Sequence, residues 1–338
     1  MKSKELFRRR LVFTVGKGGV GRTTVTMALA LEAARQGLDV LLVELEGARG
    51  LGAALEAQRH AQSPPPGIER LSYLTVDGKR ALEEYLSLII PVRRLLRTIF
   101  SSKIYQYFVA AAPGLKELMT VGKIWFEAYK SQDQEPSRPH PDLVLIDAPA
   151  TGHSLQYLRM PQAALETFPT GLVHREAERI VSVLADPAAT AVVIVTTAEE
   201  MPTNETVDIH RGLRAIGLPT TLLVVNQVHR APCTQRELEA AEGALASLGA
   251  APGKADRAIL GEVVARARDE RGWAEINAAN IARLAVEVPI QTVTLPMLFT
   301  EEFSPEHVVQ LSAELARQLE LQAVVPRPVP ERSRRVRG

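Results

Sequence analysis

Two cations and two hydroxyls share a short run of glycines in Gly16-Lys17-Gly18-Gly19-Val20-Gly21-Arg22-Thr23-Thr24. A backbone without side chains lets successive N–H groups approach an anion closely. Lys17 and Arg22 can neutralise phosphate oxygens, and the Thr23 hydroxyl can ligate Mg²⁺. The apolar run Leu11–Val15 precedes these residues and the alanine-rich stretch Val25–Ala34 follows. Strand, glycine turn and helix is the order a nucleotide phosphate cradle requires. A ligand-free glycine turn is the bland alternative, and the flanking order argues against it.

Carboxylates complete the chemistry. Leu143-Val144-Leu145-Ile146-Asp147 is an apolar run ending in an acid, the place from which Asp147 holds Mg²⁺, usually through a water. The continuation Ala148-Pro149-Ala150-Thr151-Gly152-His153 supplies a proline-restricted turn, then Gly152, whose N–H can meet a γ-phosphate at the start of a helix. Such a loop is ordered by a triphosphate and released by a diphosphate. Val40–Val43 leads into Glu44-Leu45-Glu46, and alternation puts both carboxylates on one side. Glu46 is the candidate for orienting the attacking water, and Glu44 takes a secondary, structural part. Solvated loop charges are the competing reading.

Asn226 follows the run Leu222–Val225, where its amide can pair with a purine edge or simply form a turn. Within Leu295-Pro296-Met297-Leu298-Phe299, Pro296 and Met297 are placed to pack against a base, although an apolar edge run also suits a core. His153 and His174 lack partners at metal-ligand spacing, so no zinc is expected.

The elements that must position these groups recur along the chain as short apolar runs: Leu11–Val15, Val40–Val43, Leu71–Val76, Leu143–Ile146, Ala191–Thr196, Thr221–Val225 and Val286–Leu295. Longer helical patterns separate them, which predicts an α/β fold with a doubly wound, mostly parallel sheet. From about 81 to 130 the strand signal stops and apolar residues fall at helical spacing, a helical insertion. The expected organisation is one ATPase unit over 1–323 and a disordered basic tail over 324–338, where prolines and arginines alternate. Apolar residues make up 46% of the 338 and the net charge is +1, so nothing in the charge favours a nucleic-acid partner. One cysteine, Cys233, and no apolar run of about 18 residues predict a cytoplasmic protein without stable membrane insertion.

These motifs together resemble the ArsA/GET-type ATPases of the SIMIBI class, which also holds MinD and ParA. Gly16–Thr24 resembles the deviant P-loop, with Lys17 as its extra lysine. Glu46 falls at the switch I acid, Asp147–Leu155 is similar to switch II, and Val225-Asn226-Gln227 to the adenine-binding strand end. Ala112-Pro113-Gly114-Leu115-Lys116-Glu117 resembles the entry to the family's helical region. Val-Glu-Leu-Glu-Gly and Gly171-Leu172-Val173-His174 look like its bacterial, anion-transporting branch. The resemblance implies ATP, ADP and Mg²⁺ as ligands. It also implies a homodimer, or a heterodimer with a paralogous ATPase, in which Lys17 crosses to the partner's phosphates.

Three departures shape the expectation. Arg22 replaces the usual lysine and Glu46 an aspartate, which predicts slow turnover. Arg236 stands where a zinc-binding relative would have its second cysteine. The first reading is a switch that handles a protein client with an apolar helix. The alternatives are an arsenite-pump ATPase subunit, a MinD/ParA-like positioning ATPase, and a weakly active regulatory subunit.

Overall fold

The computed structural model describes residues 3–45, 50–89, 98–103, 105, 107, 114–129, 141–149, 152–247 and 254–319. The strands are β1 (Leu11–Gly16), β2 (Val40–Leu45), β3 (Leu71–Val76), β4 (Leu143–Asp147), β5 (Thr190–Thr197), β6 (Thr220–Val228) and β7 (Gln291–Pro296). They form a seven-stranded sheet in the order β3-β2-β4-β1-β5-β6-β7. Every pairing is parallel, so each connection must cross over the sheet, and helices do this on both faces.

The helices are α1 (Arg22–Arg35), α2 (Leu51–Arg59), α3 (Gly78–Ile89), α4 (Leu115–Tyr129), α5 (Gly152–Thr167), α6 (Leu172–Ala185), α7 (Glu200–Ala215), α8 (Gln235–Ser247), α9 (Lys254–Glu287) and α10 (Pro305–Leu319). Residues of α1, α2 and α10 pack against one face of the sheet, around Leu29, Leu42, Val193 and Leu315. Those of α4, α5, α6, α7 and α9 cover the other, around Phe13, Ile124, Ile146 and Leu213. Val25 to Ala34 are all buried, because α1 lies between the sheet and α10. Its alanines allow that close approach, and a helix enclosed on this many sides needs no polar stripe.

The chain places β2 and β3 to one side of β1, then returns to insert β4 between β2 and β1 before continuing through β5. This reversal opens a crevice beyond the carboxyl ends of β1 and β4, the place where open α/β sheets hold ligands. Within the insertion, α3 packs on α4. Residues 90–97, 104, 106, 108–113 and 130 of that region, and the tail from 320, lie outside the described residues.

One boundary differs from the sequence reading. The run expected as a strand from Val286 begins instead as the last turn of α9, and β7 starts at Gln291. Pro289 explains the division. It supplies no N–H for a continuing helix and forces its predecessor toward an extended conformation.

Candidate phosphate-binding site

Gly16 ends β1 and Arg22 begins α1, so the glycine-rich run occupies the turn between a buried strand and a buried helix. Val20 is buried and anchors the turn. Gly21, the residue before the helix, has φ +79°, and a Cβ there would lie 2.3 Å from Asn226 Nδ2. Glycine is thus required twice over at this position, for backbone conformation and for space. Asn226 Nδ2 donates to the Val20 carbonyl at 3.0 Å. That bond braces the turn from beneath and takes one of the two amide N–H groups of Asn226, so the purine contact expected of it would use the other N–H and Oδ1.

Beneath the turn, one carboxylate on β4 holds the first two residues of α1. Arg22 Nε donates to Asp147 Oδ1 at 2.7 Å, and Thr23 Oγ1 donates to Asp147 Oδ2 at 2.7 Å. Arg22 Nη1 reaches the Gly16 carbonyl at 3.1 Å. The planar fork of arginine suits this double duty, whereas an ammonium presents a single point of charge. Asp147 is fully buried. Burial pushes its carboxyl above the ordinary range, the Arg22 charge and the Thr23 hydroxyl pull it back, and the Glu44 charge adds to the rise. Next to this group the Thr14 and Thr26 hydroxyls lie 2.6 Å apart, and Thr14 Oγ1 donates to the Ile146 carbonyl at 3.0 Å. The base of the turn is therefore cross-linked from β1 to α1 and β4.

Lys17 lies at the rim. Its Nζ is 2.9 Å from Glu205 Oε1 on α7, and each side chain is about a third exposed. Gly18 and Gly19 are exposed, and Thr24 lies in the first turn of α1. Gly152 opens α5, so its N–H is one of the first-turn donors that a helix leaves unpaired. At the far side of the sheet's carboxyl edge, Pro296 pairs with Val228 and the Met297 N–H donates to the Val228 carbonyl at 3.0 Å. His229 follows, with Nδ1 2.8 Å from Glu270 Oε2. Its ring stacks on Trp273 and meets the edge of Phe299.

The structure thus brings Lys17, Arg22, Thr23, Asp147 and Asn226 around one turn, while Pro296 ends β7, three strands from β1, and Met297 follows it. Glu46 lies outside the described residues. Glu44 is buried, and its Oε1 accepts the Leu51 N–H at 2.9 Å. Its other oxygen accepts the Tyr73 hydroxyl. Sequence reasoning missed Glu205, Tyr73 and His229, none of which belongs to a local motif.

An arrangement of backbone N–H groups, two cations, a hydroxyl and a buried acid fits a Mg²⁺-bound polyphosphate in its chemistry: Thr23 and Asp147 are hard oxygen donors, and Lys17 and Arg22 carry the charge that would neutralise phosphate oxygens. Among the described residues there is no group of three or more His, Cys, Asp or Glu placed to hold a metal by themselves. A Mg²⁺ ion here would complete its coordination with phosphate and water.

Comparison with known proteins agrees with this geometry. The ArsA ATPase family, described as anion-transporting ATPase, matches residues 9–176 and 170–242. The ATPase BagA of Mycobacterium tuberculosis is 31% identical over 245 residues, covering 69% of this chain and 70% of its own. An arsenical pump-driving ATPase of Escherichia coli is 29% identical over 258 residues, 71% of this chain but 43% of its own. One from Acidiphilium multivorum is 28% identical over 234 residues, 64% of this chain and 39% of its own. The chain spans less than half the length of these pump ATPases. With the glycine turn, its acid and six of the seven parallel strands inside the matched residues, the chain belongs to the ArsA family of anion-transporting ATPases.

Proposed function

We propose that the chain binds ATP with Mg²⁺ and hydrolyses it slowly as a dimeric switch. The observation that carries this reading is the meeting of Arg22, Thr23 and Asp147 at the carboxyl end of β1 and β4. Thr23 and Asp147 would hold Mg²⁺, the latter through a water. The N–H groups from Gly16 to Thr24 would cradle the phosphates, and the Gly152 N–H would meet the γ-phosphate. Asn226, Pro296 and Met297 would flank the base, and Glu46 would orient the attacking water. Lys17 would cross to the partner's phosphates, which requires it to leave Glu205. Arg22 bridges Asp147 and the Gly16 carbonyl, and a guanidinium held there is less free than a lysine ammonium to follow the phosphates, which supports slow turnover.

In this reading the ATPase unit runs over 1–323, with its helical insertion at about 81–130, and is followed by a basic tail. ATP closure of a homodimer, or of a heterodimer with a paralogue, changes the shape presented to a client. A cavity of about 350 Å³ between α3, α4 and α6 supports a client with an apolar helix. Tyr85, Leu118, Met119, Trp125, Phe126 and Ile180 line it. The names of the pump-driving relatives favour a second reading, an ATPase subunit of an arsenical pump. With one cysteine in the chain, metalloid thiolates would have to come from a partner. No helix among the described residues is long and apolar enough to cross a membrane.

The test is steady-state ATP hydrolysis with Mg²⁺ beside Lys17→Ala, together with nucleotide binding. Turnover that rises more steeply than protein concentration and disappears in the variant is the expected result. A chain that binds no ATP overturns the reading. Stimulation by arsenite, absent with an apolar helical peptide, would favour the pump.

A further inference from the structure

Three rings from separate parts of the chain meet beyond the carboxyl end of β6. Trp273 of α9, 45% exposed, stacks on His229 with 5.7 Å between ring centroids and 25° between planes. Phe299, which follows β7 and is 70% exposed, meets the same histidine edge-on at 5.9 Å. A single exposed apolar side chain is ordinary, but rings gathered from three elements make a surface that calls for a purpose. The histidine between them is held firmly. Its backbone N–H donates to Asn277 Oδ1 at 2.8 Å, and its Nδ1 lies 2.8 Å from Glu270 Oε2. Asn277 is buried, and its Nδ2 donates to the Ala198 carbonyl just past β5 at 3.0 Å. The cluster is thereby fastened to the edge of the sheet.

The rings stand next to the phosphate turn. Val225 pairs with Thr294 and Val228 with Pro296, so Asn226 and Gln227 form an irregularity in the β6–β7 ladder. Gln227 has φ +56°, a conformation that costs a residue with a Cβ and that gathers at functional sites. An irregularity of this kind re-aims side chains. Here the Asn226 amide meets the Val20 carbonyl, and a Cβ on Gly21 would lie 3.8 Å from Gln227 Nε2. From Gln227 to His229 the chain advances two residues, at most about 7 Å. A ribose with its base spans such a gap. The Met297 N–H, bonded to the Val228 carbonyl, keeps the chain leading to Phe299 alongside. Glycine turn, Asn226 amide and aromatic rings thus follow one another in the order of phosphate, base edge and base face.

We propose that His229, Trp273 and Phe299 form a stacking platform for the base of the bound nucleotide, with Trp273 as the residue that contributes most to affinity. The inference rests on the ATP-binding reading, in which Asn226, Pro296 and Met297 flank the base, and it adds a surface supplied by α9. A base has two π-faces that aromatic rings cover well. Packing on His229 already orients the indole, so little side-chain freedom is lost when a base arrives. Stacking tolerates any base. The platform therefore supplies affinity, while the remaining N–H and Oδ1 of Asn226 read the edge.

The experiment uses the full chain carrying Trp125→Phe, which leaves Trp273 as its one tryptophan. Emission is followed on adding ATP or tripolyphosphate, each with Mg²⁺, and both affinities are measured by calorimetry, there and in Trp273→Ala and Trp273→Phe made in the otherwise unaltered chain. ATP is expected to quench Trp273 saturably, whereas tripolyphosphate, which has no base, binds without quenching. Trp273→Ala should weaken ATP about tenfold and leave tripolyphosphate within about twofold. Trp273→Phe keeps a ring and should recover most of the loss. Unchanged ATP affinity in Trp273→Ala overturns the platform and leaves the phosphate site intact. An equal loss for ATP and tripolyphosphate also overturns it, because the substitution would then have disturbed the phosphate turn. Should Trp273→Ala fail to fold, the emission of the intact tryptophan still decides: no quenching by ATP, or the same quenching by tripolyphosphate, removes the platform. A chain that binds neither probe overturns the ATP-binding reading as well.

Discussion

The base and the rim of the phosphate turn each hold one cation against one acid, in opposite surroundings. Arg22 and Asp147 meet beneath the turn, with the arginine side chain 10% exposed and the aspartate fully buried. Lys17 and Glu205 meet at the edge, each about a third open to solvent. In the first pair neither charge has water to fall back on, so the pair is bound into the fold. In the second, the lysine is about a third exposed and can turn to water, which leaves it free to change partners. The proposed dimeric switch would need both kinds of contact: a fixed base to define the site and a mobile cation to report its occupancy.

The comparison is tested most severely by removing the buried acid. Asp147→Ala leaves Arg22 buried with only the Gly16 carbonyl, and is expected to cost about 3 kcal/mol in urea unfolding, the range seen when one partner of a buried pair is deleted. Loss below about 1 kcal/mol would mean that water already reaches the base and that the contrast with the rim is false. Thr14→Val is isosteric but removes the hydroxyl bond to Ile146 and the contact with Thr26. An unfolding cost of about 1–2 kcal/mol is expected, since the Thr26 hydroxyl and the Ile146 carbonyl each lose a buried partner.

How much of this contrast was legible in the sequence follows from how local each part is. Arg22 and Thr23 lie in one short run, and Asp147 announces itself by ending an apolar strand next to a proline turn, so the chemistry of the base could be read before any contact was known. The doubly wound sheet was legible for the same reason: seven apolar runs separated by helical patterns allow few other arrangements. The partner of Lys17 could not be read. Glu205 is one acid among several on α7, and only the packing of that helix beside β5 brings it to the turn. Tyr73 was equally silent, because an aromatic residue on an edge strand has many uses and Gly52 gives no local sign of the ring it accommodates. Asn226 was read at the correct strand end with a different partner in mind. Its bond to Val20 spans 206 residues, a separation that no local pattern encodes.

The rim should yield little in stability and much in function. Lys17→Ala is expected to shift unfolding by less than about 1 kcal/mol, as for other half-exposed ion pairs, while abolishing turnover. An equally large stability loss at Lys17 and at Asp147 would erase the distinction.

The smallest expected change in stability, and the sharpest probe of the rim, is Glu205→Gln. The substitution keeps the shape of the side chain and removes its charge, so unfolding should move by about 0.5 kcal/mol or less. What should change is the lysine. A nitrogen held 2.9 Å from a carboxylate must leave that contact before it can be acylated. Competitive amine labelling read by peptide mass spectrometry should therefore show Lys17 reacting about threefold faster in Glu205→Gln, a factor that corresponds to the modest worth of a surface pair. Lys123, held by Glu84 and Glu127 on α3 and α4, provides the internal reference and should be unaffected. Equal labelling of Lys17 in both proteins would mean that the rim contact has no energetic weight in solution. The lysine would then be free at all times, and its departure from Glu205 could not be a step that nucleotide binding has to drive.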